Sequence, residues 1–317
     1  MARKLIIDTD TAADDSFALL VGLLHPEADL RAVTIVAGNV DFEQQVRNAL
    51  ITINQAGRSG KVPVFRGATD PLMRPWYEAK AHGDGKGNVE WPAPKQQAES
   101  VHGAQAIVDL ANAHSGDIDL IAIGPLTNVA LALAMDRELP SKIRELWIMG
   151  GCDNSQGNVT AAAEYNFFVD PEAAQMVLSA GFATTIVTWT LTLAQATWDD
   201  EQLEKIRQMG TPLSEFFSIL DAPNREHNGS VGIPGSTHPD SLTAMLLVEP
   251  GLIRRSSQRY VEVETHSEST RGYSLMDVRE TRPLGDRKHN ATVIDEVDER
   301  GFYAKFMTLL ETTGERR

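Results

Sequence analysis

The chain alternates short apolar runs with longer amphipathic stretches, and through its first two-thirds this alternation restricts the fold more than any other feature. Short apolar runs predict buried strands, whereas apolar residues at helical spacing predict helices. The predicted strands are Leu5–Ile7, Ala32–Val36, Ile118–Ile123, Leu146–Met149 and Thr184–Thr188. The predicted helices are Asp14–Leu24, Phe42–Ala56, Val101–Ala113, Leu126–Met135 and Pro171–Ala180. Strands and helices in this order form βαβ units, so we expect an α/β fold with a mostly parallel central sheet flanked by helices.

The C-terminal part of the chain has a different pattern. Tyr260–Glu264 and Tyr273–Val278 alternate between apolar and polar residues, which is typical of antiparallel strands. The segment Asp298–Leu310 has the spacing of a closing helix. Because no internal repeat, low-complexity tract or linker interrupts the chain, we expect a single domain over residues 1–317.

Two segments lack periodicity and are rich in glycine, proline or polar residues, namely residues 68–98 and 222–239. Both are predicted to be irregular loops, and long loops of this kind in a compact domain often cover a binding site. The first loop contains Trp76 and Trp91, which either stack on a ligand or hold the loop in place. The sequence does not decide between these two roles.

Composition and charge exclude several classes of partner. The formal net charge of -15 opposes binding to nucleic acid and to anionic membranes, since both attract lysine and arginine. The single cysteine, Cys152, excludes an intrachain disulfide. Only three apolar residues precede Asp8 after the basic N-terminus, too few for a secretory signal, and no apolar run is long enough to span a bilayer. We therefore expect a cytoplasmic protein without a membrane or nucleic-acid partner.

Polar or glycine-rich turns follow four of the predicted strands, at Asp8–Asp15, Gly38-Asn39, Gly124-Pro125 and Gly150-Gly151. Open parallel sheets bind their ligands in a crevice at the carboxyl ends of the strands. Each turn alone is compatible with a tight connection and nothing more. Together they favour one site at this edge of the sheet.

The first of these turns carries four carboxylates, Asp8, Asp10, Asp14 and Asp15, within eight residues. Carboxylates this close raise one another's pKa unless a positive charge lies among them. A helix N-terminus could satisfy Asp14 or Asp15, but it does not explain all four. Oxygen ligands suit Ca²⁺ or Mg²⁺ better than zinc, and the spacing differs from that of an EF-hand. The cluster therefore predicts a site for a hard divalent cation, completed by residues from other strand ends.

The segment Asp8–Asp15 resembles the opening motif of the inosine–uridine preferring nucleoside hydrolase family, Asp-Thr-Asp-Pro-Gly-x-Asp-Asp, with Thr11-Ala12 in place of Pro-Gly. Further blocks resemble the family in the family's order and extend the likeness over about residues 5 to 245. These blocks are Gly38-Asn39, His82–Gly85, Ile123–Asn128, Met149–Gly151, Glu164–Ala174 and Asp240–Leu242. The resemblance implies an enzyme that hydrolyses the N-glycosidic bond of ribonucleosides to free base and ribose.

The resemblance also implies a calcium site. By position, the ion would be bound by Asp10, Asp15, Asp240 and the backbone carbonyl of Ile123. Asp10 would accept the proton of the calcium-bound water that attacks the ribose. Asp8 would have no direct role and would orient the loop that carries the other aspartates.

Most of the substrate-binding residues that the resemblance implies have polar side chains that suit ribose hydroxyls, because asparagine can accept or donate and ionised carboxylates accept. They are Asp14, Asn39, His82, Met149, Asn158, Glu164 and Asn166. Asp14 would also belong to the catalytic group. Carboxylates near the sugar would stabilise the oxocarbenium-like transition state, and they would repel phosphate, so free nucleosides are expected rather than nucleotides.

The resemblance does not identify the residue that protonates the leaving base. Many family members have a histidine directly before the C-terminal aspartate, but this chain has Pro239 there and His238 one position earlier. His238 would therefore point either into the site or to solvent. His82 and His227 are further candidates, and Trp189 could be a core residue. The preference for purine or pyrimidine bases stays open.

Two other functions are compatible with parts of the sequence. Asp8-Thr9-Asp10-Thr11 is close to the Asp-x-Asp-x-Thr motif of haloacid-dehalogenase-type phosphatases, but no convincing downstream lysine or acidic pair accompanies it. A protein that binds nucleosides without turnover is the second alternative. By analogy with the family we also expect a homodimer or homotetramer that acts in nucleoside salvage.

Overall fold

The computed structural model describes residues 2–79, 81, 83–279 and 287–312. Its strands are β1 (Arg3–Thr9), β2 (Ala28–Ile35), β3 (Val64–Arg66), β4 (Ile118–Ala122), β5 (Leu146–Met149), β6 (Thr184–Val187), β7 (Thr197–Trp198), β8 (Ser236–Thr237), β9 (Ile253–Val263), β10 (Ser274–Asp277) and β11 (Ala291–Val297). Its α-helices are α1 (Ala13–Leu24), α2 (Phe42–Gln55), α3 (Gly103–Ala113), α4 (Thr127–Met135), α5 (Leu139–Lys142), α6 (Tyr165–Val169), α7 (Pro171–Leu178), α8 (Trp189–Gln195), α9 (Asp200–Gln208), α10 (Pro212–Ser230), α11 (Pro239–Val248) and α12 (Glu299–Leu310).

Nine of these strands form one sheet in the order β10-β9-β11-β6-β5-β4-β1-β2-β3. The run from β11 to β3 is parallel, whereas β9 pairs with β10 and β11 in antiparallel fashion. The predicted α/β class, with a mostly parallel sheet and antiparallel strands near the C-terminus, is confirmed. Strands β7 and β8 form a separate two-stranded ribbon beside it.

The centre of the sheet is buried on both faces, because every residue of β4 and β5 is buried, as is typical of parallel strands covered by helices. Side chains alternate between two hydrophobic clusters, because successive residues of a strand point to opposite faces. In β1, Leu5 and Ile7 belong to one cluster and Ile6 belongs to the other. In β4, Ile121 packs with the first cluster and Leu120 with the second. No helix in the described part of the chain is long and apolar enough to cross a membrane.

The prediction of an irregular loop over residues 222–239 is wrong, because the first nine of these residues belong to α10. Pro223 lies inside this helix and Gly229 is near its end, and such residues normally argue against a helix. The ribbon strand β8 and the start of α11 occupy the end of the same segment. One face of α10 therefore becomes a wall of structure where the sequence indicated an irregular loop.

The described part of the first loop is irregular, as predicted, and its two tryptophans hold it in place. Trp76 Nε1 donates to the carbonyl of Gly38 at 2.8 Å. Trp91 Nε1 donates to the carbonyl of Lys86 at 2.9 Å, and its ring packs edge-on against Phe216. Both indoles thus tie the loop to the carboxyl edge of the sheet or to α10.

Asn128, the second residue of α4, connects three segments below the carboxyl edge of the sheet. Its Nδ2 donates to Asp8 Oδ1 at 2.8 Å and to the carbonyl of Ile35 at 3.0 Å. Its Oδ1 accepts from the backbone N–H of Ala68 at 2.8 Å. Burial raises the pKa of Asp8 to about 7, against the hydrogen bonds from Thr34 and Asn128, which lower it. One amide thereby satisfies buried groups of β1, β2 and the loop after β3.

We expect Asn128→Ala to lower the free energy of unfolding by about 2–4 kcal/mol, because it leaves several buried polar groups without partners. Urea denaturation followed by circular dichroism measures this change. Asn112→Ala is the matched control, since Asn112 is exposed and its Oδ1 accepts a hydrogen bond from Lys142 Nζ at the surface. A loss in Asn128→Ala no larger than in the control would contradict the structural role of this amide.

Candidate functional site

The carboxyl ends of β5, β4, β1 and β2 lie side by side in the sheet, so the four predicted turns meet at one place. Their backbones approach closely around Asp10. A Cβ atom on Gly38 would overlap Asp10 Oδ2, and one on Gly124 would lie 2.7 Å from Asp10 Oδ1. Asn166 Nδ2 bridges the ends of β4 and β5, donating to the carbonyls of Ile123 at 3.0 Å and Met149 at 3.1 Å. Glycine is required at both contact points because no side chain fits there.

Asp10 is completely buried at this junction. Its Oδ2 accepts from the backbone N–H of Asn39 at 2.9 Å, whereas its Oδ1 has no hydrogen-bond partner among the described residues. Burial raises the pKa of Asp10 well above its ordinary value, and the charge of Asp15 raises it further. A buried carboxylate oxygen without a partner normally indicates a missing ligand, ion or water.

Asp15 is held at the N-terminus of α1. Its Oδ1 accepts from Thr9 Oγ1 at 2.6 Å, and its Oδ2 accepts from the backbone N–H of Ala12 at 2.9 Å and from Asn39 Nδ2 at 3.1 Å. A carboxylate in the first turn is favoured by the helix dipole. The expectation that a helix N-terminus satisfies part of the cluster is therefore met at Asp15, while Asp10 lies before the helix.

Three carboxylates can be brought onto one ion. Oxygen atoms of Asp14, Asp15 and Asp240 all lie within 4.8 Å of one another, and all three residues are buried. Asp240 occupies the first turn of α11, which packs against α1. Burial raises the pKa of Asp240 well above its ordinary value, with the charge of Asp14 as the next cause. Buried oxygen donors in this arrangement fit a hard divalent cation.

Two of the carboxylates that the resemblance implies as metal ligands, Asp15 and Asp240, belong to this group together with Asp14. The predicted ligand roles of Asp10 and of the Ile123 carbonyl stay predictions. Asp10 interacts with Asp15 beside this group, and the Ile123 carbonyl accepts from Asn166. The acidic cluster that can bind a metal thus combines Asp14 and Asp15 of the N-terminal motif with Asp240.

Glu164 is the N-cap residue of α6 and contacts the turn that follows β5. Its carboxylate accepts from the backbone N–H groups of Asn166 at 2.7 Å, Gly151 at 2.8 Å and Phe167 at 3.2 Å. Burial raises the pKa of Glu164 to about 7, although these hydrogen bonds lower it. Asn158 Oδ1 accepts from the N–H of the next residue, Tyr165, at 2.9 Å. This network fixes the turns that face Asp10.

A cavity of about 830 Å³ joins these residues, which is in the usual range for a small-molecule site. Its acidic, amide and thioether lining includes Asp14, Asn39, Met149, Asn158, Glu164, Asn166 and Asp240. Its apolar lining includes Trp189, Leu193, Val231, Ile233 and Pro239. A ligand with one hydroxylated end and one flat, weakly polar end would match both kinds of surface.

His238 lies in neither of the two places that the sequence suggested. It is completely buried, its ring lies 4.0 Å from that of Trp198, and it also packs against Phe17 and Phe217. Neither ring nitrogen has a hydrogen bond to any described residue, and Nε2 is 3.9 Å from Asp221 Oδ1. Burial lowers the pKa of His238 to about 3, so the ring is neutral. Because His238 is buried, it does not point to solvent, and the residues that line the cavity do not include it.

His227 on α10 is a lining residue of the cavity, and His82 lies outside the described residues. Trp189 is buried, as a core residue would be, but it begins α8 and also lines the cavity. The sequence did not reveal the wall that α10 forms. The sequence signal for this wall was a set of cavity-lining residues at helical spacing, which share one helical face: Asn224, His227, Asn228 and Val231.

Comparison with known proteins gives a consistent result. The family model described as "Inosine-uridine preferring nucleoside hydrolase" matches residues 5–304. The chain is 35% identical over 306 residues to the pyrimidine-specific ribonucleoside hydrolase RihA of Photobacterium profundum, covering 95% of this chain and 96% of that protein. It is 34% identical over 278 residues to RihB of Escherichia coli O157:H7, named pyrimidine-specific as well, with 87% of each chain covered.

Solved structures show the same fold. A purine-preferring ribonucleoside hydrolase from Gardnerella vaginalis superposes with a TM-score of 0.90 at 29% identity, covering 98% of this chain and 99% of the other. An inosine-guanosine nucleoside hydrolase superposes with a TM-score of 0.87 at 29% identity, covering 98% and 99%. The names of these two structural neighbours refer to purine nucleosides, whereas the two sequence relatives are named pyrimidine-specific.

We expect a divalent cation to raise the melting temperature of the protein, because an ion among these carboxylates binds only the folded state. At a free concentration a hundredfold above Kd, the stabilisation would be about 2.7 kcal/mol. Thermal unfolding after removal of metals, with and without added CaCl₂, measures it.

The increment should fall sharply in Asp240→Asn, which removes one charge from the group. It should persist in Asp109→Asn, since Asp109 is an exposed acid on α3. Equal increments in Asp240→Asn and the unaltered protein would show that the cation binds elsewhere.

Proposed function

The chain belongs to the inosine-uridine preferring nucleoside hydrolase family, and we propose that it hydrolyses ribonucleosides with Ca²⁺ at the Asp14, Asp15 and Asp240 group and Asp10 as the general base. One observation carries this proposal. Among the described residues, Asp10 Oδ1 is buried without a partner near three clustered carboxylates, of which Asp14 and Asp240 line a cavity together with Asn39, Asn158, Glu164 and Asn166. Family membership leaves the phosphatase alternative without support.

The chemistry of the donors supports calcium among the divalent cations. Carboxylate, carbonyl and amide oxygens are available here, and no cysteine or histidine belongs to the group of described residues that could hold the ion. Ca²⁺ accepts six to eight oxygens in irregular geometry, whereas Mg²⁺ demands a near-ideal octahedron and zinc prefers nitrogen and sulfur. A bound calcium ion would supply an electrophile that lowers the pKa of water and positions ribose hydroxyls.

In the proposed reaction, Asp10 accepts the proton that the attacking water loses. Its Oδ2 is fixed by the Asn39 N–H, and glycine contacts at Gly38 and Gly124 prevent the side chain from turning away. The free Oδ1 is then the atom that accepts a proton. As water oxygen bonds to C1′ of the ribose, the C1′–N bond breaks and its electron pair leaves with the base. Neighbouring carboxylates stabilise the positive charge that develops on the sugar.

The ribose would be held by the polar lining of the cavity. Asp14 and Glu164 accept from hydroxyls when ionised, and Asn39, Asn158 and Asn166 provide amide groups. Interactions of this kind that strengthen as the ring flattens favour the transition state over the ground state. The acidic lining disfavours a 5′-phosphate, so the proposed substrates are nucleosides and not nucleotides.

The base would lie against the apolar lining formed by α8, α10 and their neighbours. A sequence relative is named pyrimidine-specific and a structural neighbour is named purine-preferring, so these names do not identify the base that this chain prefers. His227 lines the cavity, whereas His238 is enclosed by aromatic rings. We assign protonation of the leaving base to His227, with His82 as the other candidate. A homodimer or homotetramer, action in salvage and a cytoplasmic location stay predictions.

We expect Asp10→Asn to lower kcat about a thousandfold, because the amide cannot accept the proton of water while it keeps the size of the side chain. Release of ribose from inosine, adenosine, uridine and cytidine, measured with a reducing-sugar assay, gives the rates. Asp70→Asn is the control, since Asp70 is an exposed acid in the loop after β3.

Activity of Asp10→Asn within about tenfold of the unaltered enzyme would rule out Asp10 as the base. If the calcium-loaded enzyme binds the four nucleosides but releases no ribose from any of them, the protein is a nucleoside binder without turnover.

We expect His227→Phe to lower kcat/KM about a hundredfold on the best natural nucleoside, because a poor leaving base needs a proton. The same variant should change kcat/KM little on 4-nitrophenyl riboside, whose leaving group departs as a stable anion. His266→Gln, a change at a histidine with 95% exposed side chain, is the control. Equal losses on both substrates would mean that His227 shapes the cavity and does not donate a proton.

A further inference from the structure

Two asparagines on α10, Asn224 and Asn228, line the cavity one helical turn apart. Asn224 Nδ2 donates to Ser236 Oγ at 3.0 Å and to the carbonyl of Thr237 at 3.2 Å. Asn228 Nδ2 donates to the carbonyl of Gly235 at 3.2 Å and to Thr237 Oγ1 at 3.4 Å. An amide nitrogen has two hydrogens, so both donors of each side chain are used.

The orientation of both amides follows from the chemistry of their partners. A backbone carbonyl can only accept, so the atom facing the Thr237 carbonyl or the Gly235 carbonyl must be the nitrogen. The remaining polar atom of each side chain is Oδ1. Within the part of the chain that the structure describes, no donor bonds to Oδ1 of Asn224 or Asn228. Each can therefore offer a ligand an acceptor and no donor.

A buried carboxylate completes this arrangement behind the cavity wall. Ser236 Oγ accepts from Asn224, so its own hydrogen is directed elsewhere, and it donates to Asp221 Oδ1 at 2.6 Å. Ser236 is completely buried and Asp221 is 4% exposed. Because Ser236 donates its hydrogen to Asp221, a lone pair of Ser236 Oγ is directed at the amide nitrogen of Asn224. If the serine donated to Asn224 instead, the amide group would have to rotate so that its oxygen faced the serine.

We propose that Asn224 and Asn228 form an acceptor-only edge of the base subsite, which favours nucleobases with an N–H donor, and that Ser236 and Asp221 are positioning residues for Asn224. The inference rests on the proposed function, because it assigns the α10 wall to the base. Hypoxanthine, uracil and cytosine each present an N–H group to such an edge. Bases whose ring edge carries only acceptors and C–H groups leave the asparagine oxygens desolvated and unpaired.

A purely structural role would be to hold the β7–β8 ribbon against α10. Loss of the network would then lower stability without changing which base is preferred. Selectivity between matched nucleosides separates the two roles, because both members of a pair have the same ribose and ring size. The pairs are inosine against purine riboside, and cytidine against pyrimidin-2-one riboside. The second member of each lacks every N–H donor on the base.

The experiment measures kcat/KM for both pairs with the calcium-loaded enzyme, and Kd for the same nucleosides in the Asp10→Asn background. We expect the unaltered enzyme to prefer the donor-bearing member of a pair by about tenfold or more, the equivalent of one hydrogen bond. Asn224→Ala, Ser236→Ala and Asp221→Ala should each reduce this preference to about threefold or less.

Two variants should keep the preference. Asp221→Asn retains an oxygen that accepts from Ser236, and thus preserves the direction of the hydrogen bonds. Asp200→Asn removes an exposed carboxylate that pairs with the exposed Arg225 of α10, and it leaves the side chains of the four residues unchanged. Melting temperatures of all variants show whether each is folded, and the Asp221→Asn result provides a test even if Asp221→Ala does not fold.

The proposal is overturned if the unaltered enzyme shows no preference within either pair, or if Ser236→Ala and Asn224→Ala keep it. Failure of the proposed function would look different. A protein that hydrolyses no nucleoside would still give Kd ratios for the two pairs, and these ratios alone decide on the acceptor edge.

Discussion

The mutual repulsion of Asp10, Asp14, Asp15 and Asp240 is the interaction on which the rest of this site depends. Each is buried, and burial together with neighbouring negative charge raises the pKa of Asp10 and of Asp240 well above the ordinary value. Carboxylates separated by a few ångströms inside a protein cannot all be ionised without a compensating charge. Helix N-termini at α1 and α11 reduce the repulsion but do not remove it. A divalent cation bound here would remove this repulsion and would also supply the electrophile for the proposed hydrolysis.

The surrounding structure keeps these groups from moving apart. Gly38 and Gly124 allow backbone to approach Asp10 from two sides, and Asn128 joins β1 to β2 directly beneath it. Parallel strands deliver their carboxyl ends to a single edge, so residues far apart in sequence arrive together without long loops. Rigid delivery matters because a general base must reach water within hydrogen-bond distance. The polar site thus depends on an apolar sheet that is covered on both faces.

Much of this arrangement could be predicted from the sequence, because periodicity identifies buried parallel strands and the Asp8–Asp15 motif follows the first of them. The wall formed by α10 could not, since Pro223 and Gly229 concealed a helix that tertiary packing stabilises. The burial of His238 depends on rings from α1, β7 and α10, which no local pattern indicates. The grouping of Asp14 with Asp240 likewise depends on how α1 meets α11, and spacing along the chain says nothing about it.

The proposed mechanism depends on the binding of one calcium ion by Asp14, Asp15 and Asp240 beside the sugar. Crystals grown without calcium and soaked in Tb³⁺, a calcium substitute with strong anomalous scattering, test this most directly. We predict one dominant anomalous peak per chain, at about 2.3–2.6 Å from carboxylate oxygens of Asp14, Asp15 and Asp240, with the distance to Asp10 read from the same map. A dominant peak away from these oxygens, or no peak at the group, would show that Asp14, Asp15 and Asp240 do not form the calcium site.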